Sequence, residues 1–420
     1  MSVAARVSPS AFEDGPTRPS PTYSIPARLA SVDVYRGFVM FLMMAEVLHL
    51  AGVAKAHPEV KLWQHLAHHQ EHVAWVGCTL HDMIQPSFSF LVGVALPFSI
   101  ASRLGRGQSK GRLAAHAFWR ALVLAALGIF LRSRGRSLTN FTFEDTLTQI
   151  GLGYGFLFLL GLRSVKVQIV AFVLIVVGYW AAFTCYTPPA GFSAATVGVP
   201  ADFEGNAVGL AAHWNKNANL AWKADTWFLN LFPREKPFLY NGGGYATLSF
   251  IPTLATMVLG LLAGGILRKE LPAWQKVAIL LAAGVVALGT GWGLGVSGLC
   301  PVVKRIWTPS WVLYSGGWCF IMLATFYTVV DLARLRPAFF PFMVIGMNSI
   351  AAYVLSGTFE GFVDSSFNTH QGLLLNTPLG RQLAALPPPG YGSLIHNALV
   401  LFVLWLVLLW MYRRGIFLKV

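Results

Sequence analysis

The sequence predicts an all-α, polytopic membrane protein with about ten transmembrane helices, on three observations. A mean hydropathy of +0.59 with only 11% charged residues over 420 positions does not suit a water-soluble globule. Apolar stretches able to cross a hydrocarbon core of roughly 30 Å, about 20 helical residues each, recur along the whole length. Runs such as VQIVAFVLIVVGYWAAF lack the alternation that a membrane β-barrel strand requires.

Taken in order, residues 1–27 are polar, rich in Pro and Ser and without an apolar h-region, so they read as a flexible cytoplasmic tail rather than a signal peptide. Residues 28–420 read as one transmembrane domain. Its spans are expected near 33–53, 83–102, 114–131, 146–162, 166–185, 246–267, 275–297, 311–330, 339–357 and 393–412. Turn and charge signals such as RLGRGQSKGR, RKELPAWQK and RLRP separate them. An even number of spans returns both termini to one side. Placing that side in the cytoplasm collects 19 of the 31 Lys and Arg there in short segments, as the positive-inside rule asks. Arg132, Arg134 and Arg136 fall outside and count against it. Loops 54–82, 186–245 and 358–392 are then external, and loops of that length on one face can roof a substrate site. No inverted repeat of the transporter type is visible.

The net charge of +14 is scattered among short loops, so it reads as a topology signal and not as a nucleic-acid surface. Four cysteines without CxxC spacing indicate neither a zinc site nor a disulfide framework, although Cys185 and Cys300 fall near one face and can pair in an oxidising compartment.

Chemistry concentrates between Glu46 and Asp82. Seven of the 11 histidines lie in these 37 residues, with Glu59 and Glu71 between them. Imidazole and carboxylate are costly at a membrane boundary, so the cluster marks a site of proton chemistry or ligand binding. His65, His68, His69 and His72 are spaced i, i+3, i+4 and i+7, one face of a helix. Three readings stay open: a metal site on His65, His69 and His72, a solvated helix with incidental histidines, or one histidine acting as general base beside a carboxylate. Glu46, set in FLMMAEVLHL, must find a partner or a proton. Asp33 and Arg36, at i,i+3, can neutralise each other at the membrane boundary. Arg120, Gln149 and Asn348 can line an internal cavity or tie helices together. NGGGY at 241–245 lacks the strand and the Lys of a phosphate loop and reads as a turn.

The landmarks RLASVDVYRGFVMFLMM, HVAWVGCTLHDMIQPSFSFLVGVALPFSI, LTQIGLGY, ATLSFIPTLATMVLGLLAG, VVKRIWTPSWVLYSGG and GMNSIAAYVLSG occur in this order. Together they make the chain, from about residue 28 to its end, resemble the heparan-α-glucosaminide N-acetyltransferase-like family of multi-span acyltransferases, which includes bacterial members. The resemblance implies an enzyme of the bacterial inner membrane that takes acetyl from cytoplasmic acetyl-CoA to an amino sugar or other saccharide on the far side. It also implies that His72, in His72-Val-Ala-Trp75-Val-Gly77 leading to Asp82, is the base. Glu46, Glu71 or Asp82 would then hold its imidazole in the reactive tautomer. Arg103, Arg112 and Arg120 would bind the CoA phosphates, and Asn348 or Gln149 would face the thioester carbonyl. No metal and no nucleic acid is expected; membrane lipid surrounds the chain, and self-association is left open. The chain departs from the family pattern at Glu46-Val47, Thr148-Gln149 and Gly243-Ala246. The rival reading is a proton-coupled transporter or flippase of a glycan or lipid-linked precursor.

Overall fold

The computed structural model describes residues 29–418, apart from the side chains at 383 and 384; the expected tail, 1–27, lies outside them. Among the described residues the regular structure is helical, with a single isolated bridge between Val76 and Val303. In chain order the helices are α1 (Ala30–Met44), α2 (Leu50–Ala56), α3 (Lys61–Gln70), α4 (Ile84–Gly105), α5 (Lys110–Arg132) and α6 (Thr146–Gly161). Then follow α7 (Val165–Thr184), α8 (Leu220–Phe228), α9 (Phe250–Arg268), α10 (Ala273–Val296) and α11 (Pro309–Phe326). The last are α12 (Phe340–Met347), α13 (Ser349–Leu375), α14 (Pro378–Ala385) and α15 (Tyr391–Arg413).

The chain is a polytopic helical membrane protein. Seven helices among the described residues are long and apolar enough to cross a bilayer, and up to nine if each of two bent pairs counts as one span. The first bent pair turns by 50° at His49, whose φ of 46° is left-handed. The second turns by 71° at Asn348. Helix α6, on the expected fourth span, has 16 residues, about 24 Å at 1.5 Å per residue, and falls short of a full crossing.

Some helix starts have a local cause in a capping side chain. Asp145 caps α6 by accepting the N–H groups of Leu147 and Thr148 at 2.9 and 3.2 Å. Thr308 caps α11 through the Trp311 N–H at 3.3 Å, with Pro309 in the first turn. At the centre, α4 and α9 pack almost backbone to backbone. A Cβ at Gly93 would fall 2.0 Å from the Met257 carbonyl oxygen, and one at Gly260 would fall 1.9 Å from that of Phe90. Only glycine permits that approach, the usual device where lipid offers no hydrophobic drive to hold helices together. By contrast α5, α7, α10 and α15 turn apolar side chains such as Leu122, Leu174, Val286 and Phe402 outward, as lipid contact requires.

Two expected boundaries move. The region 358–392 is mostly helix: α13 runs on to Leu375 and α14 follows. Nothing in SGTFEGFVDSSFNTHQGLLL breaks a helix, there being no Pro, and the change of polarity suggested an end that the backbone does not need. The histidine helix α3 stops at Gln70, so His72 does not share its face; Glu71 is extended. All four cysteines are free, with Cys185 exposed and Cys300 buried. The described chain begins and ends at one end of the bundle, since Arg36, Arg103 and Leu418 line one cavity. The other end is roofed by residues 186–245, where fully buried Trp214 accepts the Trp75 indole N–H through its carbonyl at 3.2 Å.

Candidate active site

The segment after α3 is held open by one carboxylate. Asp82 is 1% exposed, and its Oδ2 accepts the N–H groups of Val73 at 3.3 Å and Thr79 at 3.1 Å. The Thr79 hydroxyl accepts the Asp82 N–H in return at 3.4 Å, a reciprocal cap like those that open helices. Its Oδ1 accepts His72 Nδ1–H at 2.8 Å and the Lys304 ammonium at 3.3 Å. A carboxylate with so many donors stays ionised and accepts only, so the proton on His72 sits at Nδ1 and Nε2 keeps its lone pair. Lys304 Nζ also lies 3.2 Å from His72 Nδ1.

Lys304 arrives from a distant loop. The Val76–Val303 bridge and the Gly77 N–H to Val302 carbonyl bond at 3.0 Å bring 300–308 against the histidine segment. Arg305 locks this junction, donating to the Val73 carbonyl at 3.1 Å and to the Gly243 carbonyl at 2.8 Å. NGGGY is indeed a turn: Asn241 Oδ1 accepts the N–H groups of Gly243 and Tyr245, and Gly244 has a φ of 79°. A Cβ at Gly244 would strike the Trp75 ring at 2.6 Å.

Burial holds the His72 imidazole below its ordinary pKa; the Asp82 hydrogen bond opposes this and the Lys304 charge adds to it. Burial likewise lowers Lys304, with Asp82 opposing. The thiol of nearby Cys78 is pushed up to about 12 by burial, which removes it as a nucleophile.

His72 lines a cavity of about 710 Å³ together with Lys304, Tyr245, Asn241 and Arg132. It also borders a second cavity of about 390 Å³ beside Glu71, Trp75 and Glu204. The 3₁₀ turn at Ala45–Leu48 and the break at His49 aim Glu46 and His49 into the larger one, an irregular backbone where it lines a cavity. A third cavity of about 290 Å³ opens at the opposite end, lined by Arg36, Arg103 and Arg120. The first and third cavities share two lining residues, Thr146 and Tyr353.

The sequence candidates divide accordingly. Asp82 holds His72. Glu46 holds His81 instead, at 2.8 Å, and the His81 ring lies 4.5 Å from that of His72. Glu71 faces the second cavity. Arg103 and Arg120 line the third, where Arg120 donates to the Tyr154 hydroxyl at 3.1 Å and its buried Nε has no partner among the described residues. Arg112, two turns before Arg120 and about 12 Å along the helix, does not line it. Gln149 donates to the carbonyls of Phe143 and Thr247, and Asn348 is bonded at both ends to Ile416 and Leu418. Both are fully buried ties between segments and reach none of the three cavities. Lys304 was missed because it reads as one more basic loop residue, although it stands inside the landmark VVKRIWTPSWVLYSGG. Among the described residues no group of three or more His, Cys, Asp and Glu side chains is arranged to hold a metal ion.

No family model matches the chain. It is similar to heparan-alpha-glucosaminide N-acetyltransferase of Homo sapiens, with 26% identity over 381 residues, 81% of this chain and 54% of that protein. The Mus musculus protein of the same name is 24% identical over 377 residues, 80% of this chain and 54% of its own length. The chain thus spans about half the length of the curated relatives it matches. These matches support a family-level relationship across the membrane region.

Proposed function

We propose that the protein is a membrane acetyltransferase that moves acetyl from acetyl-CoA to the amine of a saccharide, with His72 as general base. One observation carries this reading. A histidine fixed by a buried carboxylate faces a cavity large enough for two reactants, and that cavity adjoins an arginine-lined one opening at the other end of the bundle. The names of the two relatives supply the reaction type.

Arg36, Arg103 and Arg120 would hold the nucleotide phosphates, for which guanidinium forks are suited. The pantetheine arm would pass Thr146 and Tyr353 and present the thioester beside His72. The acceptor nitrogen attacks the thioester carbon while His72 Nε2 removes its proton; the C–S bond then breaks, and the thiolate takes the proton back as free CoA. The basic end of the bundle would face the cytoplasm of a bacterial inner membrane, consistent with the positive-inside rule.

Purified protein given labelled acetyl-CoA and a panel of amino sugars should release free CoA with at least one of them. His72→Ala should reduce turnover 10²–10⁴-fold, roughly 3–5.5 kcal/mol of barrier, without loss of fold or of acetyl-CoA binding. A folded His72→Ala variant with near-normal turnover would remove His72 from the reaction. No CoA release with any acceptor would favour a transport role instead.

A further inference from the structure

Lys304 is the unexplained charge of the site. It is 5% exposed, and its ammonium meets Asp82 Oδ1 at 3.3 Å and His72 Nδ1 at 3.2 Å. An Asp–His pair alone favours the imidazolium, because the carboxylate stabilises the added positive charge. That pull works against the burial that lowers His72 and raises the share of the base already protonated before substrate arrives. Here the carboxylate already has a resident cation.

We propose that Lys304 is a positioning residue that balances the charge of Asp82, so that His72 keeps its fixed tautomer but stays neutral until it takes the acceptor's proton. The other groups facing His72 do not supply this balance. His81, from the turn that opens α4, is occupied by Glu46 from the end of the first span. Glu71, His68 and Glu204 border the second cavity. Arg305 is taken up by the Val73 and Gly243 carbonyls. Among the described residues, Lys304 is the cation set against both partners of the pair. The same cation makes the transient imidazolium a stronger acid. The N–H bond formed at Nε2 during attack is therefore readily broken in favour of the departing thiolate. No group beyond the two substrates is needed to balance the step.

The role rests on the acetyltransferase reading for its purpose, but its test does not. Carbethoxylation of histidine follows the neutral imidazole, so its rate against pH, read at His72 by peptide mass spectrometry, titrates that side chain with no acetyl-CoA or acceptor present. Removing a positive neighbour raises the pH at which His72 becomes neutral. In Lys304→Met the midpoint should move to higher pH, and His72 should react several-fold more slowly at mildly acidic pH. Lys304→Gln carries the same expectation should the Met variant not fold, and Lys304→Arg should leave the midpoint in place. Exposed His65 is the internal reference and should not shift. An unchanged or lowered midpoint in the neutral variants would overturn the proposal, as would an equal shift in Lys304→Arg. If His72 titrates as expected while no acceptor is ever acetylated, the functional reading fails and the charge balance stands.

Discussion

Asp82 carries most of the site's geometry on one side chain. It fixes the backbone at Val73 and Thr79, the ring of His72 and the ammonium of Lys304. Asp82→Asn keeps the shape but turns an acceptor into a partial donor, frees the imidazole to change tautomer and leaves a buried cation without its counterion. Breaking such a pair costs about 3–5 kcal/mol. Among molecules that remain folded, acetyl transfer should fall by roughly 10²-fold or more. Glu71→Gln should leave turnover close to unchanged, since Glu71 borders only the second cavity. Steady-state CoA release from the two variants checks both outcomes; equal losses would mean that the carboxylates share the task. At this scale the sequence was legible in part. The motif around His72 singled it out from the other histidines, and Asp82 stood ten residues away as one of three candidate partners. Choosing among the three depends on side-chain direction, which spacing does not encode once the helix ends at Gln70. Gln149 and Asn348 show the converse: a polar residue in an apolar run signals a need for partners, but not whether a ligand or a carbonyl supplies them.

The elements were more legible than their breaks. A helix was expected at each of the ten apolar runs, and each run carries one, because twenty apolar residues in a bilayer have to satisfy their backbone internally. The bends at His49 and Asn348 were not visible, since hydropathy continues across them and the cause is tertiary. Lys304 was hidden for a similar reason: a bridge between residues 76 and 303 delivers it, and no local pattern reports that pairing. The contact between α4 and α9 gives a test at this scale. Gly260→Val puts a branched side chain where even a Cβ would lie 1.9 Å from the Phe90 carbonyl oxygen. It should destabilise the bundle by about 1–3 kcal/mol or more, read as a lower unfolding midpoint in detergent. Gly265→Val, on the same helix with nothing within 4 Å of its Cβ, should stay within roughly 0.5 kcal/mol. Similar losses at both positions would mean that the close approach is not what limits stability.

Across the whole molecule, the first and third cavities meet at Thr146 and Tyr353, where the proposed function would pass the acetyl donor from one end of the bundle to the other. Right-side-out membrane vesicles loaded with acetyl-CoA should acetylate an amino sugar added outside, and vesicles given both reagents outside should not. Thr146→Trp, which fills the junction of the cavities, should stop transfer while acetyl-CoA still binds. Reaction with both reagents outside would mean that donor and acceptor enter from one face, and full transfer by Thr146→Trp would place the route elsewhere.

Such a junction has an electrical consequence. A bilayer stores energy only while protons and ions cannot cross it, and cavities that carry charged side chains at both ends of the bundle leave little insulation between them. What remains is the short barrier around Thr146 and Tyr353, backed by Leu147 and Ile150 in the third cavity. Under the proposed function, the width of that barrier would set two quantities at once: how easily a slender thioester arm threads through, and how much current leaks when the arm is absent.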